Sequence, residues 1–382
     1  MSLKVTLIVM SAGNSSRFSG EIRAQKQWIR IGSIPLWLFL VNRLSSAFSF
    51  ASTRITMAPY LCKYAQKQTE YSIIPGGATR QESLLNALEG IETPFVLVTD
   101  AARACVEMAM IERILERAIE DDFDCIVPTL GISDTVRYEG NTLNRERVRL
   151  VQTPQLSRTA LLREALKTGE CTDESSAIAG CGGRIVEVLG SVHAHKLTHP
   201  SDLSRLKCLT PPHHETLVGH GFDVHGFQEG KPMVLGGVGI ESSFGFAAHS
   251  DGDVALHALC DALLGAIGAG DIGEWFPDTD ERWKGACSRD LLGRVCELLW
   301  TLGFVVRNVD ITIMAQTPRI MPYKEAMERG IAEMIRIKRA NVNIKATTTE
   351  KLGFIGRKEG VAVEAIASVT YGDWTKYENF DC

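Results

Sequence analysis

Lys4-Val-Thr-Leu-Ile-Val-Met10-Ser-Ala-Gly13-Asn-Ser-Ser-Arg17 joins a short apolar, β-prone run to a string of small polar residues. The run is broken at once by Ser11-Ala-Gly13, so it predicts a buried strand and not a signal peptide. Small residues after a buried strand let backbone amides approach an anion. Arg17 and, nine residues further on, Lys26 could neutralise a polyphosphate there. The segment is neither Gly-x-x-x-x-Gly-Lys-Ser/Thr nor Gly-x-Gly-x-x-Gly. Taken alone, it is equally an ordinary polar loop between a strand and a helix.

Outward from this stretch, β-rich runs at 72–74, 95–99, 125–128 and 185–188 alternate with helical patterns at 36–46, 80–90, 108–121 and 157–167. Such alternation predicts an α/β domain of Rossmann-like kind, with a mostly parallel sheet and ligands at the strands' carboxyl ends. The strand at 95–99 delivers Asp100, followed by Arg103, where a carboxylate could meet Mg²⁺ beside a triphosphate. An Asp ending a strand is also a common helix cap.

The pattern stops at Thr210-Pro-Pro-His-His-Glu215, which reads as a linker. With 382 residues, two domains are expected, at 1–209 and 217–382 with a linker at 210–216. The second has strands at 218–224, 305–314, 342–348 and 361–371 and a helix at 289–302, predicting a compact α+β unit. The tail from 372 reads as loosely ordered. A net charge of -5 argues against a broad nucleic-acid surface. The apolar stretch at 34–41 is far too short for a bilayer span, so no membrane segment is expected. The ten cysteines never fall as Cys-x-x-Cys, so neither a cysteine zinc site nor a disulfide framework is indicated, and a reducing cytoplasm fits.

The second domain carries its own chemistry. Asp223 and His225 stand two apart in a strand and leave the same face. Asp253, His257 and Asp261 recur every four residues along a helix edge. Asp223, His225 and His257 offer a two-imidazole, one-carboxylate set suited to a zinc-type ion with one position open for substrate, though from spacing alone they are equally hydrogen-bonded core residues. Asp253 and Asp261 are expected to orient the ligand imidazoles.

Two resemblances follow. Residues 11–17 with Lys26, Pro75-Gly-Gly-Ala-Thr-Arg80-Gln-Glu-Ser83, Asp100-Ala-Ala-Arg103, Asp134-Thr135, Thr153-Pro-Gln155 and Lys196-Leu-Thr resemble 2-C-methyl-D-erythritol 4-phosphate cytidylyltransferase over 3–209. The resemblance implies that Arg17 and Lys26 stabilise the transition state on CTP. It implies that Arg145 and Lys196 position the methylerythritol phosphate, and that Thr135 lies on that side. Gly13, Gly77, Ser83, Asp100 and Arg103 would hold the nucleotide with Mg²⁺ or Mn²⁺. The sequence departs from that family at Ser15, Ser16, Thr99 and Ala104.

Gly219-His-Gly-Phe-Asp-Val-His225, His249-Ser-Asp-Gly-Asp-Val-Ala-Leu-His257, Gly270-Asp-Ile-Gly273, Phe276-Pro-Asp-Thr-Asp280, Ala315-Gln-Thr-Pro-Arg319 and Lys345-Ala-Thr-Thr-Thr-Glu-Lys-Leu-Gly-Phe354 are similar to 2-C-methyl-D-erythritol 2,4-cyclodiphosphate synthase. The similarity implies Zn²⁺ on Asp223, His225 and His257, with His249 and Thr348 acting on the transition state. Ser250, Asp271, Ile272 and Gly273 would meet the erythritol part, and Phe276, Pro277, Asp278, Thr279 and Asp280 would line that pocket. Ala315, Gln316, Thr317, Pro318, Arg319, Ile320 and Met321 would receive the cytidine diphosphate. Thr347, Thr349, Glu350, Phe354 and Arg357 would join them, Glu350 offering a carboxylate to a second divalent ion.

Together these imply a bifunctional enzyme of isoprenoid precursor synthesis acting on small molecules and forming a homo-oligomer, a trimer or a hexamer. Two other readings remain open from sequence alone: a synthase carrying a non-catalytic amino-terminal scaffold, and a cytidine-nucleotide sensor.

Overall fold

The run Val5–Met10 is a strand with every residue buried, flanked by the parallel strands Ser52–Met57 and Phe95–Asp100. A strand covered on both faces has no solvent side to alternate toward, which explains why every residue but Thr6 is apolar. The computed structural model describes residues 3–120, 122–248, 250–277, 279–283 and 285–376. The chain divides into two units, Met1–Pro212 with Asp373–Cys382, and His213–Gly372.

In the first unit, an eight-stranded sheet runs Leu150–Val151, Cys125–Leu130, Gln155–Arg158, Phe95–Asp100, Val5–Met10, Ser52–Met57, Ser72–Pro75, with Ile185–Leu189 paired to Cys125–Leu130. The helix expected at 157–167 begins only at Thr159, because Gln155–Arg158 is an antiparallel strand inserted between Phe95–Asp100 and Cys125–Leu130. Buried Gln155 donates to Asp173 Oδ2 (3.1 Å) and accepts from Ser175 N (2.8 Å). A polar side chain satisfied inside the fold hides the strand's apolar alternation. The parallel strands end together at Met10, Pro75 and Asp100, so the loops at 11–15, 76–79 and 101–103 share one sheet edge. Thr79 and Glu82 form a reciprocal cap on the helix Arg80–Leu88, which fixes where Arg80 starts.

Two expectations are corrected here. Cys105 and Cys208 form a disulfide, although cysteine spacing indicated none. They are 103 residues apart in sequence and meet only through folding, beyond the reach of any local spacing rule. The described part of the tail expected to be loose and to close the second domain, residues 373–376, instead returns to the first unit. Trp374 is 5% exposed, and its indole nitrogen donates to Arg30 O at 2.7 Å.

In the second unit, five strands run Phe244–Phe246, Thr216–Glu229, Gly360–Tyr371, Phe304–Met314, Val342–Thr347. The helix Val254–Ala266 lies on the strands Thr216–Glu229 and Gly360–Tyr371. Close approach depends on Gly219 and Gly221, since a Cβ at either would lie 2.1 Å from Ala262 O or 2.0 Å from Ala258 O. By strand alternation, Asp223 and His225 share the face of those glycines, so the glycine pair brings His257 down beside them.

Candidate active sites

The second unit gathers Asp223, His225 and His257 so that one ligand atom from each lies within 4.8 Å of the others. Asp223 Oδ2 is 3.2 Å from His257 Nδ1 and 3.5 Å from His225 Nε2. Metal bonds of about 2.0–2.1 Å at tetrahedral angles place ligand atoms roughly 3.3–3.4 Å apart, so the spacing fits zinc. The outward atoms are engaged. His225 Nδ1 meets Gly252 O at 2.8 Å, His257 Nε2 meets Ser288 Oγ at 2.9 Å, and Asp223 Oδ1 accepts from Val224 N at 2.8 Å. Burial presses the His257 pKa down, but the Asp223 carboxylate overrides it and holds His257 above its ordinary value.

Asp253 and Asp261 do not orient those imidazoles, contrary to expectation. Asp253 is fully buried and accepts from the backbone nitrogens of Gly236, Gly237, Ala255 and Leu256. Asp261 accepts from Ile272 N at 2.8 Å. Both sit on the correct helix edge, yet backbone donors reach them first. Ser288 and the Gly252 carbonyl take the orienting role, and no sequence signal marked either.

A cavity of about 520 Å³ opens over the triad. Its lining includes Ser250, Ile272, Gly273, Phe276, Pro277 and Thr279, with Ala247, Ala248, Asp261, Trp283 and Leu291 added by the fold. Asp271 does not line it and caps the short helix Ile272–Trp275 through Glu274 N at 2.9 Å. Asp280 pairs with Arg282. His249 and Asp278 lie outside the described residues.

A second group forms at the ends of the strands Phe304–Met314 and Val342–Thr347, where Ala315 N donates to Thr347 O at 2.9 Å. The remaining residues 316–321 follow one strand, including a cis bond between Thr317 and Pro318. After the other come Thr348 and Glu350, whose side chains are bonded at 3.1 Å, then Thr349, Phe354 and Arg357, the last paired with Glu359. Val224, Ala362, Met314 and Thr347 lie in one row across the sheet. At about 4.8 Å per strand, this group is roughly 10–14 Å from the triad along the sheet. None of its residues lines the cavity over the triad.

The first unit has a cavity of about 380 Å³ at its shared sheet edge, lined by Gly13, Lys26, Gly77, Ser83, Asp100 and Lys196 among others. Asp100 accepts from Arg80 at 3.3 Å and pairs with Lys196 Nζ at 2.6 Å. Burial pushes the Asp100 pKa up, but Arg80 and Lys196 overcome it and bring it to about 2. Arg80 in turn reaches Glu174, a fully buried carboxylate whose pKa burial raises, at 2.9 Å. Lys26 Nζ donates to Leu197 O at 3.1 Å, and burial is the first cause of its pKa falling to about 8. Ser15 sits at a left-handed φ of 58°, and its hydroxyl donates to Gln27 Oε1 at 2.6 Å. Arg80, Gln27 and Glu174 were not anticipated as site residues. Arg80 was legible as the first residue after a capping threonine.

Four expected residues do not line this cavity. Arg17 and Thr135 are exposed, Arg145 donates to Ser133 O at 2.6 Å, and Arg103 donates to Ala194 O at 2.6 Å.

Residues 5–209 match the family model of 2-C-methyl-D-erythritol 4-phosphate cytidylyltransferase, and residues 216–370 match the YgbB family. The bifunctional enzyme IspD/IspF of Wolinella succinogenes is 50% identical over 378 residues, 99% of each chain. The chain belongs to the bifunctional IspD/IspF family. That of Sulfurovum sp. is 50% identical over 371 residues, covering 97% of this chain and 98% of the relative. The solved structure of the bifunctional IspDF from Campylobacter jejuni superposes with a TM-score of 0.89 at 45% identity, over 97% of this chain and all of that one.

As an IspD/IspF member, this is a two-activity enzyme of the methylerythritol phosphate pathway. Its first unit is the cytidylyltransferase and its second the cyclodiphosphate synthase. No helix among the described residues is long and apolar enough to cross a membrane.

Proposed function

We propose that the synthase cavity binds 4-diphosphocytidyl-2-C-methyl-D-erythritol 2-phosphate with Asp223, His225 and His257 holding Zn²⁺, and releases CMP as the 2,4-cyclodiphosphate closes. The observation carrying this is the triad's convergence with every outward polar atom already engaged. Bound there, zinc supplies Lewis acidity toward a phosphate oxygen. The chain's own residues do the positioning. Ile272, Gly273 and Phe276 wall the erythritol side, whereas Thr348, which does not line this cavity, would meet the developing charge only from a neighbouring chain. Metal analysis beside a CMP-release assay tests the reading. His225→Ala should lose the ion and at least about 100-fold in rate, and a variant that keeps full turnover without metal would overturn it.

In the transferase we propose that Lys26 and Arg17 stabilise charge on the α-phosphate of CTP as methylerythritol 4-phosphate attacks and pyrophosphate leaves. The donors do not fit a divalent ion held by the protein itself. Asp100 is the sole carboxylate lining the cavity, among the described residues, and both its oxygens are engaged by cations. Mg²⁺ or Mn²⁺ therefore enters as part of the metal–nucleotide substrate. Arg17→Ala or Lys26→Ala should abolish pyrophosphate release while CMP release by the synthase continues.

Association of like chains, as a trimer through the synthase or as a hexamer, is supported by an apolar sheet face opposite the helix Val254–Ala266. Val218, Phe222 and Ile366 are 64%, 52% and 45% exposed there. The distance between the triad and the 315–321 and 347–357 group further supports a site completed by a neighbouring chain. Cytoplasmic location belongs to the same reading. Sedimentation tests the association.

A further inference from the structure

Ala102 of the transferase cavity's lining belongs to an apolar cluster, and each cation of that unit discussed above, apart from Arg80 and Arg145, has a cluster member within two residues of it in sequence. Phe18 follows Arg17, Ala24 and Ile29 bracket Lys26, Ala102 and Ala104 flank Arg103, and Leu197 follows Lys196. Leu197 is the most direct link, since its nitrogen donates to Ala102 O at 2.8 Å while its carbonyl accepts from Lys26 Nζ at 3.1 Å. The same cluster contains Trp374, which lies beyond the synthase in the chain. Its indole bond to Arg30 O ties it to the segment that begins at Lys26, through the short helix Lys26–Trp28.

We propose that Trp374 is a positioning residue of the cytidylyltransferase, so that the segment following the synthase completes the floor on which the transferase holds its phosphate-contacting cations. The physical reason is packing. A large ring removed from a close-packed cluster leaves a cavity that neighbours fill by shifting. Here the neighbours carry Lys26 and Arg17, and misplacing a catalytic cation by about 1 Å costs as much as 100-fold in rate. The transferase would thus depend on a segment that follows the synthase in sequence.

The inference rests on the reading of Lys26 as a transition-state cation, and the experiment separates the two. The full-length protein is assayed for pyrophosphate release and for CMP release from the synthase substrate in the same preparation. Trp374→Ala should lower transferase kcat by about tenfold or more, with KM for CTP within about twofold. Synthase turnover should stay unchanged. Trp374→Phe, which keeps an aromatic ring but not the N–H, should recover most of the kcat. The pH profile adds a readout that a purely structural role would not move. Lys26 faces Lys196, Arg17, Asp100 and Asp202, and burial is the first cause of its lowered pKa. Opening the cluster should rehydrate it and carry the alkaline limb of kcat/KM to higher pH. Unchanged transfer in Trp374→Ala overturns the proposal. So does a loss that equals the unfolded fraction by thermal melting with no movement of that limb. Lys26→Ala with normal transfer would instead overturn the underlying reading of Lys26.

Discussion

The hydroxyl of Ser288 lies 2.9 Å from Nε2 of His257, leaving Nδ1 turned toward Asp223. Ser288 begins the helix Ser288–Thr301 and also bonds Asp251, so the imidazole is aimed from a rigid element. Removing an outer partner of a metal-binding histidine costs about 10–100-fold in affinity or activity. Ser288→Ala should weaken zinc binding by that factor, measured by competition with a chromophoric chelator. An unchanged dissociation constant would deny Ser288 the orienting role.

Gly221 has no room for a side chain, because the Ala258 carbonyl would stand 2.0 Å from its Cβ. Neither the strand nor the helix can give way cheaply, as both atoms are backbone. Gly221→Ala should destabilise the synthase unit by about 1–3 kcal/mol or more and lift His257 from the triad. The check is a urea melt beside metal content. Wild-type stability with full zinc occupancy would mean that the helix does not depend on this approach.

Burial and the neighbouring Lys196 lower the Lys26 pKa to about 8 in the free protein. A lysine works as a cation only when protonated, so transferase kcat/KM should fall as pH rises through about 8, because that ratio reports free-enzyme groups. Lys26→Arg stays charged far above this range and should lose the limb even if its absolute rate is lower. A limb that persists unmoved in Lys26→Arg belongs to another group.

Arg80 holds two carboxylates at once, Asp100 and the fully buried Glu174. Breaking such an arrangement by removing the cation leaves buried charge uncompensated, at a cost of about 3–5 kcal/mol. Arg80→Ala should show this in denaturant unfolding of the transferase unit. The sign of the pH effect follows from Asp100, whose folded pKa lies near 2, below its unfolded value. Its contribution is present above about pH 4 and is lost as pH falls toward 2. A loss under about 1 kcal/mol in Arg80→Ala would show that Lys196 and solvent suffice.

Local patterns in the sequence already determined a good deal. Val5–Met10 announced a buried strand because it is apolar at every position but Thr6, and Asp223 and His225 announced a shared face because strand side chains alternate. The helix carrying His257 followed from Asp253, His257 and Asp261 recurring every four residues. These features depend on neighbours within a few residues, which is the range over which backbone geometry repeats. The family motifs carried the two activities for a related reason, since phosphate chemistry demands particular residues at particular spacings. Tertiary structure decided what distance in sequence conceals. It paired Cys105 with Cys208, gave Asp253 to backbone donors and not to an imidazole, brought Glu174 to Arg80, and returned Trp374 to a residue 344 positions earlier. A buried polar or aromatic group takes the partner that folding brings within reach, and no local period encodes that choice.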